Sequence, residues 1–482
     1  MAYGTKNLLI FKNNLIQNKQ NLKSFALKLS FYVLKQMPQI KSVILAYDNE
    51  YWKKMSQYVT YYLKSRGINV YFLHKNHLGV PFSFLEFSFK KLNALDLAIY
   101  FSFFDSKSCK IQTIFKNNQE INFFDFNNFN LNENEYQFLN DEPIYLDTKM
   151  LLNDYLNQIT SNRVTKYHNS ILNLIINKYQ YNFELIKKIM GFDDLGYKFI
   201  NKQRFTNDTI FRVSKTFLTR GMQFNYFARF FINQEVKYYL AYKKLFNYDF
   251  KQILNEHLVA LYIKFQNTFF SSMLINDNFF KINKVYINQL YPTPILIKVC
   301  EMFDIEYSFV LHQQDIILND NENVLYVDNN DISFLSAEHN YKDSFKTFFY
   351  INEMLNYFET QQIDIFDIEK ELKLKFLTYK EFEIECSIAN LVHFKDKLSI
   401  QKSISRIEID QLTVFENKQD KYIKHIAKIA LKTNPQCFIS ISYNEISCKL
   451  KFSVFYSQTT KIFNKIKEYF NKFLLLNKKI RN

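Results

Sequence analysis

At 482 residues, with 48% hydrophobic and 23% charged residues, the chain is too long for one ordinary core and too apolar to be disordered. Its formal net charge of +15 admits a polyanion partner, but no five basic residues stand in a row, and lysines spread over solvated faces are the better explanation of the excess. Five scattered cysteines without a CxxC pair and eight histidines without HExxH spacing argue against a zinc ribbon or a disulfide framework, and for a reducing, cytoplasmic setting.

The N-terminus leads into mixed polar sequence, so no signal peptide is expected. No apolar run of about 18 residues occurs, so no membrane span is predicted. Residues 20–37 carry Leu22, Phe25, Ala26, Leu29, Tyr32 and Val33 on one helical face. Lys41–Tyr47 (KSVILAY) is a short apolar run rich in β-formers, a buried-strand signal. A helical pattern follows from Trp52 to Ser65, and Gly67 is a good terminator for it. A strand over 68–73, a helix over 82–93 and a strand over 97–101 complete a strand–helix alternation that means parallel βαβ units.

Residues 115–145 are Asn-rich and irregular, and helices are expected to dominate from about Lys149 to Phe199. A second α/β stretch is expected to run to about Asn278. A third has strands at 284–287 and 307–311, a helix at 294–303 and a long helix at 342–359. The last 85 or so residues change character, with strand-like segments at 405–415, 437–443 and 449–456 and a closing helix from Thr459 to about Leu475.

Only six glycines occur, where average usage of about 7% would place about 34. From Met222 to the end there is none. Phosphate-cradling loops depend on glycine for positive φ and close backbone approach, so the chain has little material for them. The abundance of Lys, Asn, Ile, Phe and Tyr carries the imprint of an AT-rich genome and accounts for part of the shortage.

The order of short segments resembles the phosphohexomutases, the phosphoglucomutase and phosphomannomutase superfamily. Tyr3-Gly4-Thr5 resembles the start of that family's FGTxGIRG, and Ala46-Tyr47-Asp48 stands where its GYD would be. Arg66-Gly67-Ile68-Asn69-Val70 matches the helix exit, and residues 81–94 resemble its Pro-turn helix. Phe101-Ser102-Phe103-Phe104-Asp105 then lies where the nucleophile loop TASHNP would be. Farther on, residues 255–261 (NEHLVAL) resemble GNExGALL, Lys342-Asp343 and Asn352-Glu353 fall where DKDG and its helix would fall, and Lys449–Phe452 matches the strand after the phosphate loop RPSGTEP.

The resemblance implies three α/β domains followed by a smaller α+β domain, with boundaries at 1–170, 171–282, 283–395 and 396–482. It also implies a phosphoserine that exchanges its phosphoryl group with a bound sugar phosphate beside a carboxylate-held Mg²⁺. It places the nucleophile at Ser102, within about one residue, but Phe103 and Phe104 follow where His and Asn would, and an ordinary strand-end serine is the better explanation of the position. The metal loop DPDADR becomes residues 241–249, where Asp249 alone remains and Lys243 and Lys244 intrude. The loop TGFKxI becomes His312–Ile316. The sugar-gripping FEES loop aligns near Val327–Asn330, where Asp328 could accept sugar hydroxyls or serve a plain surface turn. The phosphate clamp becomes Ser442–Cys448, losing its arginine and glycine and gaining Glu445.

Apolar scaffolding kept while every chemical loop is lost implies a degenerate, non-catalytic relative. Such a chain would hold no cofactor or metal, bind neither sugar phosphate nor nucleic acid, and serve as a binding or structural subunit for a protein partner. Two alternatives stay open. One is a divergent active mutase using Ser102, with Asp249 or Asp105 helping Mg²⁺. The other is a nucleic-acid-binding protein resting on the charge and the many aromatic residues.

Overall fold

A computed structural model describes residues 2–5, 7–12, 18–48, 50–73, 79–103, 108–116, 120–129, 142–160, 173–175, 210–214, 226–230, 236–243, 247–272, 281–289, 294–310, 313–319, 322–328, 332–337, 341–365, 367–368, 378–415, 423–432, 437–444, 448–456 and 460–478. The chain divides into two compact units. Residues 1–284 and 318–363 form the first, and residues 285–317 and 364–482 the second.

The first unit begins with β1 (Ala2–Thr5) and β2 (Leu8–Lys12), an antiparallel hairpin whose turn residue Asn7 has φ 58°. Asn tolerates this left-handed conformation better than most residues, and here its side chain also makes a long-range tie, Asn7 Oδ1 accepting the Ile121 N–H at 2.9 Å. Helix α1 (Lys19–Gln36) starts at Asn18, whose Oδ1 accepts the Asn21 N–H at 2.7 Å. Next come β3 (Ser42–Tyr47), α2 (Lys53–Ser65), β4 (Asn69–Phe72), α3 (Phe82–Lys91), β5 (Leu97–Phe103), β6 (Ser108–Phe115), β7 (Ile144–Tyr145) and α4 (Thr148–Thr160).

These strands form a seven-stranded sheet in the order β1-β2-β6-β5-β3-β4-β7. β3 pairs in parallel with β4 and β5, as the strand–helix alternation requires, while β6 turns back antiparallel on β5. Every residue of β3 is buried, which is why it reads as an unbroken apolar run with no alternation. Val33 and Leu29 of α1, Val59 and Leu63 of α2 and Val43, Leu45 and Ile99 of the sheet share one core.

The exit of α2 shows why Gly67 stands where it does. Its φ is +78°, its N–H bonds to Lys64 O (2.9 Å), and the Ile68 N–H reaches back to Leu63 O (3.1 Å). That pair of bonds is the Schellman closure, which needs a left-handed residue just past the helix.

β8 (Asn173–Ile175), β9 (Ile210–Ser214), β10 (Tyr226–Phe230), β11 (Val236–Lys243) and β12 (Asn247–Gln252) form a second sheet, ordered β8-β10-β11-β12-β9. Only β8–β10 is parallel. Of the helices expected over 149–199, α4 is present. Residues 173–175 are strand, held by pairing with β10, and the other residues between 161 and 199 lie outside those described. Helix α5 (Asn255–Ser272) follows.

The second unit contains β13, whose strand spans Lys284–Asn288, then α6 (Pro294–Met302) and β14 (Glu306–Val310), which lies beside β13. The chain returns to the first unit for the hairpin β15 (Asn323–Val327) and β16 (Ile332–Ser336) and for helix α7 (Ser344–Thr360). The second unit then resumes with β17 (Thr378–Glu385), α8 (Ile388–Ser399), β18 (Ser403–Ile404), β19 (Ile407–Val414), β20 (Ile423–Leu431), β21 (Cys437–Asn444), β22 (Lys449–Tyr456) and α9 (Thr460–Lys478).

These last strands make a six-stranded antiparallel sheet in the order β17-β22-β21-β20-β19-β18. Strand alternation sends Ile429, Leu431, Ile439, Ile441 and Phe452 to one face, where Phe394 and Leu398 of α8 and Ile466 and Phe470 of α9 bury them. The molecule is thus a mixed α/β fold built on several sheets, ending in an α+β segment. Among the described residues no helix is long and apolar enough to cross a membrane.

Candidate functional site

β3 and β5 are parallel neighbours, and open α/β sheets hold ligands outside the carboxyl ends of such strands. Asp48 follows β3 directly. Its N–H bonds to Phe101 O (3.1 Å), and its Oδ2 accepts the Phe103 N–H (3.1 Å), so it ties the two strand ends together. Ser102 lies inside β5, opposite Lys110 of β6. Its residue is 2% exposed, and its Oγ has no hydrogen-bond partner.

Aromatic rings close this edge. Trp52, 0% exposed, stacks on Phe101 (6.3 Å between centroids, 23°) and packs against Phe103 (5.2 Å). Tyr51 lies against both Trp52 (5.2 Å) and Phe103 (5.3 Å). Asp48 is itself only 4% exposed. Burial pushes its carboxyl from 3.8 up to about 8, against the smaller opposing pulls of the Phe103 amide, the Lys110 charge and the Trp52 indole. Its Oδ1 has no hydrogen-bond partner. Near neutral pH Asp48 is therefore mostly a neutral acid, which is a poor ligand for a divalent cation.

Among the described residues, no group of three His, Cys, Asp or Glu side chains could hold a metal ion. The segment aligned with the metal loop is instead drawn into the β11–β12 hairpin, with Asp249 opposite Tyr242 on one side and Arg212 of β9 on the other. The Asp249 side chain and all of Asp105 lie outside the described residues. The described residues do not fit a Mg²⁺ site.

Asp328 follows β15. Its Oδ2 accepts the Tyr326 hydroxyl (3.3 Å), and its carbonyl accepts Asn255 Nδ2 (3.2 Å) at the start of α5. No described hydrogen bond brings it together with Ser102. At the clamp position, Ser442, Tyr443 and Asn444 belong to β21 itself, paired with Lys451, Leu450 and Lys449. Tyr443 is buried, and its hydroxyl bonds to Cys386 O (3.0 Å). Glu445 and His312 lie outside the described residues, while Gln313–Asp315 form a short helical turn.

The sequence reading missed a second polar cluster. Ser83 Oγ contacts Tyr155 Oη (3.0 Å), and the Tyr155 hydroxyl donates to Asp343 Oδ2 (2.8 Å). Asp343 Oδ1 accepts the N–H groups of Phe345 (2.9 Å) and Lys346 (3.2 Å), capping α7. Nearby, burial raises the Glu86 carboxyl to about 7, with Lys90 opposing and Asp343 adding to the shift. Lys90 sits 3.8 Å from Glu86 and over the Tyr341 ring (4.5 Å). These hydrogen bonds join α3, α4 and the start of α7, a structural tie between three helices. Lys342-Asp343 was visible as a motif; a serine on an aromatic helix and a lone tyrosine on α4 carry no pattern.

No protein-family model matches the chain, and no curated protein matches it in sequence. Solved structures do. A phosphoglucomutase/phosphomannomutase family protein from Burkholderia thailandensis superposes with a TM-score of 0.60 at 10% identity, covering 98% of this chain and 97% of that one. The phosphoglucomutase parafusin from Paramecium, in its open form, gives 0.58 at 10% identity over 93% and 89%. At such identity the likeness establishes the fold, over nearly the whole length of both chains.

Proposed function

From a chain with the phosphohexomutase fold, we propose a protein that has given up phosphoryl transfer and serves as a binding or structural subunit of a protein assembly. The observation that carries this reading is the edge at β3 and β5. A phosphoryl-transfer nucleophile must reach its substrate and sit in a field that favours the dianion. Ser102 is instead buried within a strand, beside the strand-end Asp48 whose carboxyl burial keeps largely neutral. The hairpin at Asp249 and the strand residues at the clamp position support the same reading.

The test is direct. Purified protein incubated with glucose 1-phosphate or mannose 1-phosphate, the hexose bisphosphate activator and Mg²⁺ should give no turnover, and its intact mass should remain unmodified. Turnover together with a phosphate on Ser102 would establish the other reading, an active phosphomannomutase or phosphoglucomutase working through a phosphoserine.

A further inference from the structure

The second unit contains a groove that none of the phosphate-handling positions uses. It has a volume of about 290 Å³ and is lined by Gln289 after β13, Phe309 of β14, Gln411, Thr413 and Phe415 along β19, and Lys428 of β20. That volume is at the lower end of small-molecule sites.

Strand alternation builds it. Ala427, Ile429 and Leu431 point to the helix-covered core, so Lys428 and Ala430 point to the opposite face. On that face Thr413 stands beside Lys428, and Gln411 beside Ala430, in the β19–β20 register. Phe309 (45% exposed) supplies a ring that water does not fully lose.

Lys428 is the group that asks for a ligand. Its ammonium donates to one acceptor, the Gln289 carbonyl (3.3 Å), and lies 5.1 Å from the centroid of Phe438. No carboxylate among the described residues pairs with it. Partial burial lowers its pKa, the sign of a cation that lacks enough polar partners. An ammonium has three donors, so one or two remain for an incoming anion. Apolar ring surface on Phe309 and Phe415 and amide or hydroxyl groups on Gln411 and Thr413 frame the same space.

We propose that this groove binds a small organic carboxylate, its carboxyl group paired with Lys428 and its apolar body lying against Phe309 and Phe415. A bare inorganic anion would leave the rings unused, and an organic cation would meet Lys428 with like charge. The site does not depend on whether the chain is catalytic.

The probe is 4-fluorobenzoate, followed by ¹⁹F line broadening with the full chain. Saturable broadening that unlabelled benzoate reverses is expected. Lys428→Gln should weaken it by about ten-fold or more, because the charge partner is gone. Ala430→Trp should abolish it while leaving the charge in place, because the indole fills the groove. Far-UV circular dichroism checks that both variants are folded, and Lys428→Gln removes a half-buried charge, so it should not unfold the unit. 4-Fluorobenzylamine should not broaden. The proposal fails if no saturable broadening appears up to about 10 mM, a generous ceiling for so small a ligand. It also fails if the folded Lys428→Gln variant binds equally well, if the amine binds like the acid, or if inorganic phosphate displaces the probe at equal concentration.

Discussion

The exit of α2 and the exit of β5 belong to the same sheet layer of the first unit, and they have met opposite fates. At the first, Gly67 keeps a positive φ and closes a Schellman motif. At the second, Ser102 and Asp48 are buried, and Trp52 and Tyr51 pack against Phe103 at the end of β5. The first position answers to backbone geometry, which any chain with this fold must satisfy. The second is a strand end of an open sheet, a place where a ligand would need access, and there the side chains of Ser102 and Asp48 are buried. The contrast separates what the fold needs from what a reaction would need.

The largest effect should come from opening the sealed edge. Trp52→Ala removes a fully buried indole that packs on Phe11, Phe101 and Phe103, and should destabilise the first unit by about 4 kcal/mol. Urea unfolding measures it. A loss under about 1 kcal/mol would mean that the rings do not seal the edge, since truncations of buried Trp rarely fall so low.

Next is the neutral carboxyl. Asp48 has a folded pKa of about 8, above its unfolded value near 3.8, so the folded state holds a proton that the unfolded state releases. Stability from this group is present in full below pH 4 and is lost as pH rises through 8, with a slope of about 1.4 kcal/mol per pH unit between the two. Glu86, raised to about 7, adds a slope of the same sign up to that pH. Asp48→Asn keeps an acceptor for the Phe103 N–H but cannot ionise. It should remove one proton's share of the slope and leave that of Glu86. Chemical unfolding of both proteins at several pH values between 5 and 8 decides it, and parallel curves would refute the burial assigned to Asp48.

The same contrast explains how much could be read in advance. The parallel strands β3, β4 and β5, helices α1 to α3 and the closing helix α9 announced themselves by apolar period or unbroken apolar runs. Strands β1, β2 and β6 did not, because their pairing is antiparallel and set by distant partners such as Leu9↔Ile111. Strand β17 was equally hidden: its Glu and Lys alternate with Tyr, Phe and Ile, and only pairing with β22 makes it a strand. At the candidate site the motif order located Asp48 and Ser102, but not their condition. That Trp52 turns inward, that Asp48 loses its charge and that Ser102 lies within β5 depend on packing between segments that sequence spacing alone does not reveal.

Gly67→Ala gives a smaller effect that sharpens the other half of the comparison. A Cβ at this position would meet nothing within 4 Å, so only the backbone resists it. The strain of a left-handed alanine should reduce stability by about 1 kcal/mol, and Gly67→Asn by less, because Asn tolerates that region better. Thermal unfolding should rank the three as Gly, Asn, Ala. Equal stability of all three would show that the motif closes without a left-handed residue.

The smallest effect carries the most information about chemistry. Ser102 Oγ is buried and makes no hydrogen bond, so Ser102→Ala removes an unsatisfied polar atom and keeps nearly the same shape. Stability should be unchanged or rise by about 0.5 kcal/mol, since burying an unpaired hydroxyl opposes folding. An active-site serine would behave otherwise: its loss would abolish labelling by a hexose bisphosphate whatever happened to stability. If Ser102→Ala is neutral in unfolding and the wild-type chain takes up no phosphate, the hydroxyl is a packed strand residue. If labelling is present and vanishes with the substitution, the edge must open far enough in solution for Ser102 to be reached.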